Sequence, residues 1–383
     1  MRRKLLYSFS IFPIFFTLVL TFFSLTANAQ ITVTGSTGAN GTYSSLTASG
    51  GAFSQINSNI QTGKNIVITI TADEAGETGA VPLTPSPGSW ASFTILPSGA
   101  RTISGSITGP MITFSGADNV TINGLNSGGN SLVISNTSID PAASTIKFAS
   151  DANNNNISNC TISGSGTSAS TGIVWFSTGV VTGNTGNNIN NCNIGPAGAN
   201  LPYISVYSSG TSASIPNTVT LNANNIFNYF SPTTIDAGIF LSATGNTGWT
   251  ITNNRLYQTA NRTFTAASVH SGINIGTGEG YTISGNTIGY ANSSGTGTTN
   301  LLGITAPGTF TGTFPSSFLV GSATLNPTRY IGINCAFNSG GTVSSIQNNN
   351  IGGIAILASG QGTVSHTNAV LCGIYVSSGN ANI

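Results

Sequence analysis

ISNCTI at 157–162 returns as INNCNI at 189–194, LNANNI at 221–226, ITNNRL at 251–256, ISGNTI at 283–288 and IQNNNI at 346–351. The leading residues, Ile157, Ile189, Leu221, Ile251, Ile283 and Ile346, are separated by 32, 32, 30, 32 and 63 residues. Self-similarity at a period of this size marks a stacked repeat. A second element runs beside the first. TIKF, GIVWF, YISVY, GIFL, GINI, YIGINC and GIYV align on Ile146, Ile173, Ile204, Ile239, Ile273, Ile333 and Ile374. Each puts an apolar residue two positions on, at Phe148, Trp175, Val206, Leu241, Ile275, Cys335 and Val376. Period-two alternation rich in β-branched residues predicts half-buried strands. One strand and one Asn corner per period predict a coil of a solenoid, because neither could bury its apolar face alone.

The fourth corner position reads Cys160, Cys192, Asn224, Asn254, Asn286 and Asn349. Coils stacked in register set these side chains about 4.8 Å apart along the axis. Asn amides in such a column can bond to one another and to turn backbone, and Asn tolerates the left-handed angles of sharp turns. Cys160 and Cys192 then fall inside the disulfide window of roughly 4.4 to 6.8 Å between Cα atoms. A bridge is feasible, with a reduced pair of buried thiols slightly favoured over it. Cys335 and Cys372 sit two residues after and two before their strand isoleucines, so they are not expected to bridge. No CxxC or Cys/His spacing points to zinc.

Arg2, Arg3 and Lys4 precede an apolar run from Leu5 to Leu25 that ends in Ala27-Asn28-Ala29. This predicts a secretory signal peptide over 1–29, cleaved before Gln30, with no transmembrane segment left afterwards. The six remaining basic residues are Lys64, Arg101, Lys147, Arg255, Arg262 and Arg329, against eight acidic ones. No basic cluster exists to meet phosphates, which argues against nucleic acid as a partner. Disorder pairs low hydrophobicity with high charge, whereas this chain is 39% hydrophobic and 4% charged.

GADNVTINGL at 116–125, SNTS at 135–138, STIKF at 144–148 and NNISNCTISGSGTS at 155–168 carry a resemblance. The chain resembles the right-handed parallel β-helix of the pectin-lyase-like superfamily, in particular its secreted bacterial surface members. The resemblance implies an all-β fold of that handedness and a secreted, extracellular protein, attached or not to the cell surface. It covers nearly all of the mature chain, but the superfamily includes lyases, hydrolases, adhesins and scaffolds alike. An N-terminal cap region is expected over 30–65, where Phe53, Ile56 and Ile60 recur at helical spacing and a short helix would cover the first coil. The β-helix is expected over 66–383, starting with a strand at 66–71, and the prolines of 81–100 predict an irregular excursion before regular coils. No cap is foreseen at the other end: the chain reaches Ile383 where another corner is due. Further coils or a C-terminal domain are therefore expected, and in the resembling proteins a type IX secretion sorting domain often follows.

Catalytic sets of the superfamily are not visible: no Asp-Asp pair, His-Gly element or Arg-x-Lys element occurs, and the carboxylates are scattered singly. No catalytic residue is assigned. Asp73, Glu74 and Glu77 could together hold Ca²⁺ through oxygen ligands, the simpler reading being a solvated loop; no other cofactor is implied. His270 and, more weakly, His366 lack a carboxylate nearby in sequence and read as turn or surface residues. Asp118 and Asp151 read as Asx-turn residues. Phe176, Tyr207 and Phe240, with Lys147, would form an aromatic stripe suited to sugar rings if exposed, unless the loop 291–329 folds over it. The expected function is a secreted structural or adhesive scaffold with weak binding to polysaccharide or cell-surface glycans. The alternative is a polysaccharide lyase or glycoside hydrolase. Crystal-surface binding would need Thr-x-Thr ranks, and ITVTG and VITIT do not repeat in register.

Overall fold

The computed structural model describes residues 30–85, 89–242, 245–266, 268–305, 329–359 and 371–383. The signal peptide expected over 1–29 and His366 lie outside them. The regular structure of the described residues is almost entirely strand, arranged in sheets of twelve, eight, eight and three strands. One coil shows the plan. Asn156–Ser158 lies in the first sheet, Cys160–Gly164 in the second and Val174–Phe176 in the third; Thr185–Asn190 then returns to the first. Every pairing between successive coils is parallel, a pattern consistent with a β-solenoid.

Register follows the apolar residues of the corner motif. In the first sheet Ile122, Ile157, Ile189, Leu221, Ile251, Ile283 and Ile346 are successive partners. In the second, Ile103, Ile134, Ile162, Ile194, Ile226, Leu256, Ile288 and Ile351 are. Both columns point inward, and almost all of their members are buried in one continuous core. The 63-residue interval hides no missing coil, since Ile283 pairs directly with Ile346. Part of its extra length, Thr299–Thr305, pairs with Arg262–Thr263 and with Ile354–Ser359 in the separate three-stranded sheet.

Between the first and second sheets the chain turns in a single residue. Asn159, Asn191, Ala223, Asn253, Gly285 and Asn348 all have φ between 53° and 67°, the left-handed region that Asn and Gly enter at least cost. The next residue points inward. Asn224 Nδ2 donates to Asn254 Oδ1 at 3.0 Å, Asn254 Nδ2 to Asn286 Oδ1 at 3.0 Å, and Asn286 Nδ2 to Asn349 Oδ1 at 2.9 Å. Each of these amides also donates to a backbone carbonyl one coil back, at Ile189, Leu221 and Ile251. Cys192 joins the column through its N–H, which donates to Asn224 Oδ1 at 2.9 Å. Cys160, Cys192 and Cys335 are buried and Cys372 half-buried, and all four are free. Burial and the hydrogen bond between the first two thiols raise Cys160, while Cys192, accepting that bond, is lowered. Cys335 stands opposite Val376 and Cys372 opposite Ile331, well apart along their strands.

At the N-terminal edge the first sheet ends in antiparallel strands, Gly41–Tyr43 and Ile31–Thr34, the latter paired to Asn65–Ile70. The helix Ala52–Asn57 buries Ala52, Phe53 and Ile56 in the main core. Its carbonyl acceptors come from the preceding turn: Ala52 and Phe53 N–H donate to the Ser45 and Leu46 carbonyls at 3.0 Å each. Regular pairing starts earlier than expected. Within 81–100 the strand Ser92–Pro97 pairs in parallel with Asn65–Ile70. Pro97 closes that strand and Pro82 and Pro85 fall in the loop before it, so no proline interrupts the pairing.

Candidate functional site on the outward face of the third sheet

The third sheet carries the aromatic residues, and its register decides which of them see solvent. Ile146 pairs with Val174, Val174 with Val206 and Val206 with Ile239. Alignment on Ile173 and Ile204 is therefore displaced by one and two residues. A one-residue slip in a strand exchanges its faces, and Phe176 is the residue it misplaces. Phe176 is 0% exposed, stacks on Phe148 at 4.6 Å with the rings 7° from parallel, and meets Trp249 edge-on at 5.3 Å. With Phe114 it builds an internal aromatic column.

The outward column reads Thr113, Lys147, Trp175, Tyr207, Phe240, Asn274, Asn334 and Tyr375. Trp175 takes the place foreseen for Phe176. Lys147 Nζ lies 4.0 Å from the centre of the Trp175 ring, and burial lowers its pKa. Tyr207 and Phe240 meet edge to face at 5.7 Å, and the Ser242 hydroxyl donates to Tyr207 Oη at 2.8 Å. Tyr207 is 7% exposed, whereas Lys147, Trp175 and Phe240 remain half-buried and accessible. Trp175 Nε1 is enclosed without a hydrogen-bond acceptor. The column contains no carboxylate, and its one cation lies over one of its four aromatic rings, that of Trp175. This arrangement offers two accessible rings, Trp175 and Phe240, set two strand spacings or about 10 Å apart, and a single positive head. Within the loop 291–329, Thr299–Thr305 is the central strand of the three-stranded sheet; residues 306–328 lie outside the described set.

A second cluster was not foreseen. His270 Nδ1 is hydrogen-bonded to Asp236 Oδ1, and both residues are buried. Tyr229 stacks on the imidazole at 5.3 Å, and Phe230, Phe264 and Tyr330 surround it. The Ser231 N–H donates to Asp236 Oδ2 at 3.2 Å. Arg262 Nε donates to Gln258 Oε1 at 2.6 Å and its Nη2 to Asn228 Oδ1 at 2.6 Å. Burial pushes the Asp236 carboxyl up, against the nearby positive charges of His270 and Arg262. His270 is thus an interior residue with a carboxylate partner. The signal was available: Asp236 and His270 each stand three residues before the strand isoleucine, at Ile239 and Ile273, so equal register brings them together.

The acidic trio near the N-terminus separates into different roles. Asp73 Oδ1 accepts the Thr102 N–H at 2.9 Å. The Glu77 carboxylate accepts hydrogen bonds from Ser45 Oγ, Leu46 N–H, Thr47 N–H and the Thr47 hydroxyl. A shell of N–H and O–H groups suits an anion; three of the donors meet Oε2 and one meets Oε1. Glu74 is buried beside it. Among the described residues no group of three or more His, Cys, Asp or Glu side chains is placed to hold a metal ion. Asp118 accepts the Asn153 N–H at 2.6 Å. Asp151 accepts four successive N–H groups, from Val180, Val181, Thr182 and Gly183, at 2.8 to 3.2 Å. Among the described residues no helix is long and apolar enough to cross a membrane.

Comparison with protein-family models, curated proteins and solved structures finds no match to this chain.

Proposed function

We propose that the chain is a secreted, right-handed parallel β-solenoid of the pectin-lyase-like kind that serves as a structural or adhesive scaffold. Glycan binds along the outward face of its third sheet. The short helix Ala52–Asn57 acts as the lid of the first coil, and the export route is the type IX one suggested by the resemblance. The observation that carries the reading is the column Lys147, Trp175, Tyr207 and Phe240 in consecutive coils: two accessible rings, Trp175 and Phe240, on either side of the buried Tyr207, free of carboxylates, with one cation over Trp175. Stacking of sugar C–H faces on such rings is weak per contact and becomes useful when repeated along a rigid rod.

Binding to a panel of immobilised polysaccharides tests this. Trp175→Ala and Phe240→Ala are expected to lose most of the binding, while Phe148→Leu, inside the core, retains it. Equal binding by all three variants would sink the proposal. A second reading, hydrolysis or elimination on a polysaccharide, is favoured by one observation, the Asp236–His270 pair with Arg262 close by. Release of reducing ends or unsaturated products that His270→Ala abolishes would establish it in place of the scaffold.

A further inference from the structure

The loop after the strand Asn65–Ile70 buries two carboxyl groups that the aromatic face does not use. Glu77 accepts the four donors of residues 45–47 described above, three at Oε2 and one at Oε1, which leaves Oε1 a free lone pair. Glu74, 2% exposed, accepts the Gly76 N–H at Oε1, while its Oε2 is enclosed and has no donor. The two side chains lie within hydrogen-bonding reach of each other. With both ionised, two negative charges would face each other away from water, which like-charge repulsion and lost hydration both oppose.

Among the described residues no positive charge acts on Glu74, and of the two carboxyl groups the donors of residues 45–47 serve Glu77 alone. Glu77 is the charged group that acts on Glu74. Asp73 is held by the Thr102 N–H, and on the adjoining strand Ala100–Gly105 the Arg101 guanidinium turns Nη1 to the Ala100 carbonyl. Residues 45–47, the helix Ala52–Asn57 and the strand Ser131–Asn136 bring no charge at all. A proton on Glu74 Oε2 removes the conflict, because it converts the orphan acceptor into a donor to Glu77.

We propose that Glu74 and Glu77 share one proton and form a pH-sensitive latch that holds residues 45–47, and with them the helix Ala52–Asn57, against the first coil. The linkage runs through backbone: Leu46 and Thr47 N–H bond to Glu77, and the Ser45 and Leu46 carbonyls accept the first N–H groups of the helix. Burial first, and then the Glu77 charge, push the Glu74 carboxyl up to about 8. A carboxyl raised on folding contributes stability that is complete below its ordinary value and is lost as pH rises through the folded value. The latch is therefore closed in acid and neutral solution and opens in mild alkali.

Thermal unfolding of the wild type and of Glu74→Gln, followed from about pH 6 to about pH 9.5, tests the proposal. The wild-type midpoint is expected to fall as pH passes through about 8, and the amide variant, which donates to Glu77 at any pH, to lose that step. An identical fall in both proteins would overturn it. Should Glu74→Gln not fold, wild-type protein labelled with ¹³C at the glutamate carboxyl carbons gives the answer by infrared spectroscopy. A protonated glutamate carboxyl persisting at neutral pH and titrating near the same value supports the shared proton, and its absence refutes it. A rise in the midpoint on adding Ca²⁺ in alkali would also refute it, by making the pair cation ligands.

Discussion

Asn254→Ala is expected to destabilise the solenoid at its middle by roughly 3 to 5 kcal/mol. The side chain is 0% exposed and makes four hydrogen bonds: Oδ1 accepts the Asn224 N–H and Nδ2, each at 3.0 Å, while Nδ2 donates to the Leu221 carbonyl at 2.9 Å and to Asn286 Oδ1 at 3.0 Å. Truncation leaves the Asn224 N–H without its acceptor, a penalty of about 1–3 kcal/mol for a buried group, and removes further bonds worth about 0.5–1.5 kcal/mol each. The deleted amide also leaves a void that the stacked coils cannot easily close. Asn349→Ala supplies an internal control, since Asn349 is only half-buried and water can reach the groups it abandons; a loss of about 1 kcal/mol is expected there. Chemical denaturation followed by circular dichroism measures both. Because coils contact only their neighbours, a weakened central interface should also broaden or split the transition of Asn254→Ala. A loss under about 1 kcal/mol for Asn254→Ala, or one equal to that of Asn349→Ala, would refute the claim that a continuous amide column holds the corner.

Two further substitutions probe turn chemistry. Ala223 occupies the left-handed corner at φ 56° where its neighbours are Asn or Gly; Ala223→Gly is expected to stabilise by about 1 kcal/mol, read as a raised denaturation midpoint, because the strain of the methyl outweighs the added chain entropy. Asp151→Ala is expected to free the loop 179–183 to proteolysis at neutral pH. Burial tends to raise the Asp151 carboxyl, but the four N–H groups hold it below its ordinary value. The wild type should therefore keep its protection above that ordinary value and lose it as pH falls through the lower folded one, with the variant unprotected throughout.

The corner motif could be read from the chain because it combines two independent constraints, an inward apolar residue on each side of the bend and a left-handed residue within it. Tertiary structure has little freedom to shift such a pattern. The third sheet was harder. Ile173-Val174 offers two apolar residues at adjacent positions, so alternation alone cannot choose the inward one, and Phe176 was exchanged with Trp175. The third-sheet strands are also reached by connections of varying length, which removes the fixed spacing that pinned the corner. The Asp236–His270 contact joins residues 34 apart, and only a correct coil register makes them neighbours. Asn155, Asn184, Asn187 and Asn217 form further buried amide contacts of the same type, as in Asn155 Nδ2 to Asn187 Oδ1 at 3.0 Å and Asn184 Nδ2 to Asn217 Oδ1 at 3.0 Å. They escape notice because Asn is abundant on every turn of the chain.

The amide bond from Asn286 to Asn349 spans 63 residues of sequence yet is no longer than those that span 30 or 32. The rod thus tolerates a graft at one seam, where the chain leaves the second sheet, without disturbing the stacking on either side of it. A lineage of such proteins could acquire new recognition loops there one at a time, since a foreign segment spliced into that seam alters what the rod displays and leaves its pitch untouched.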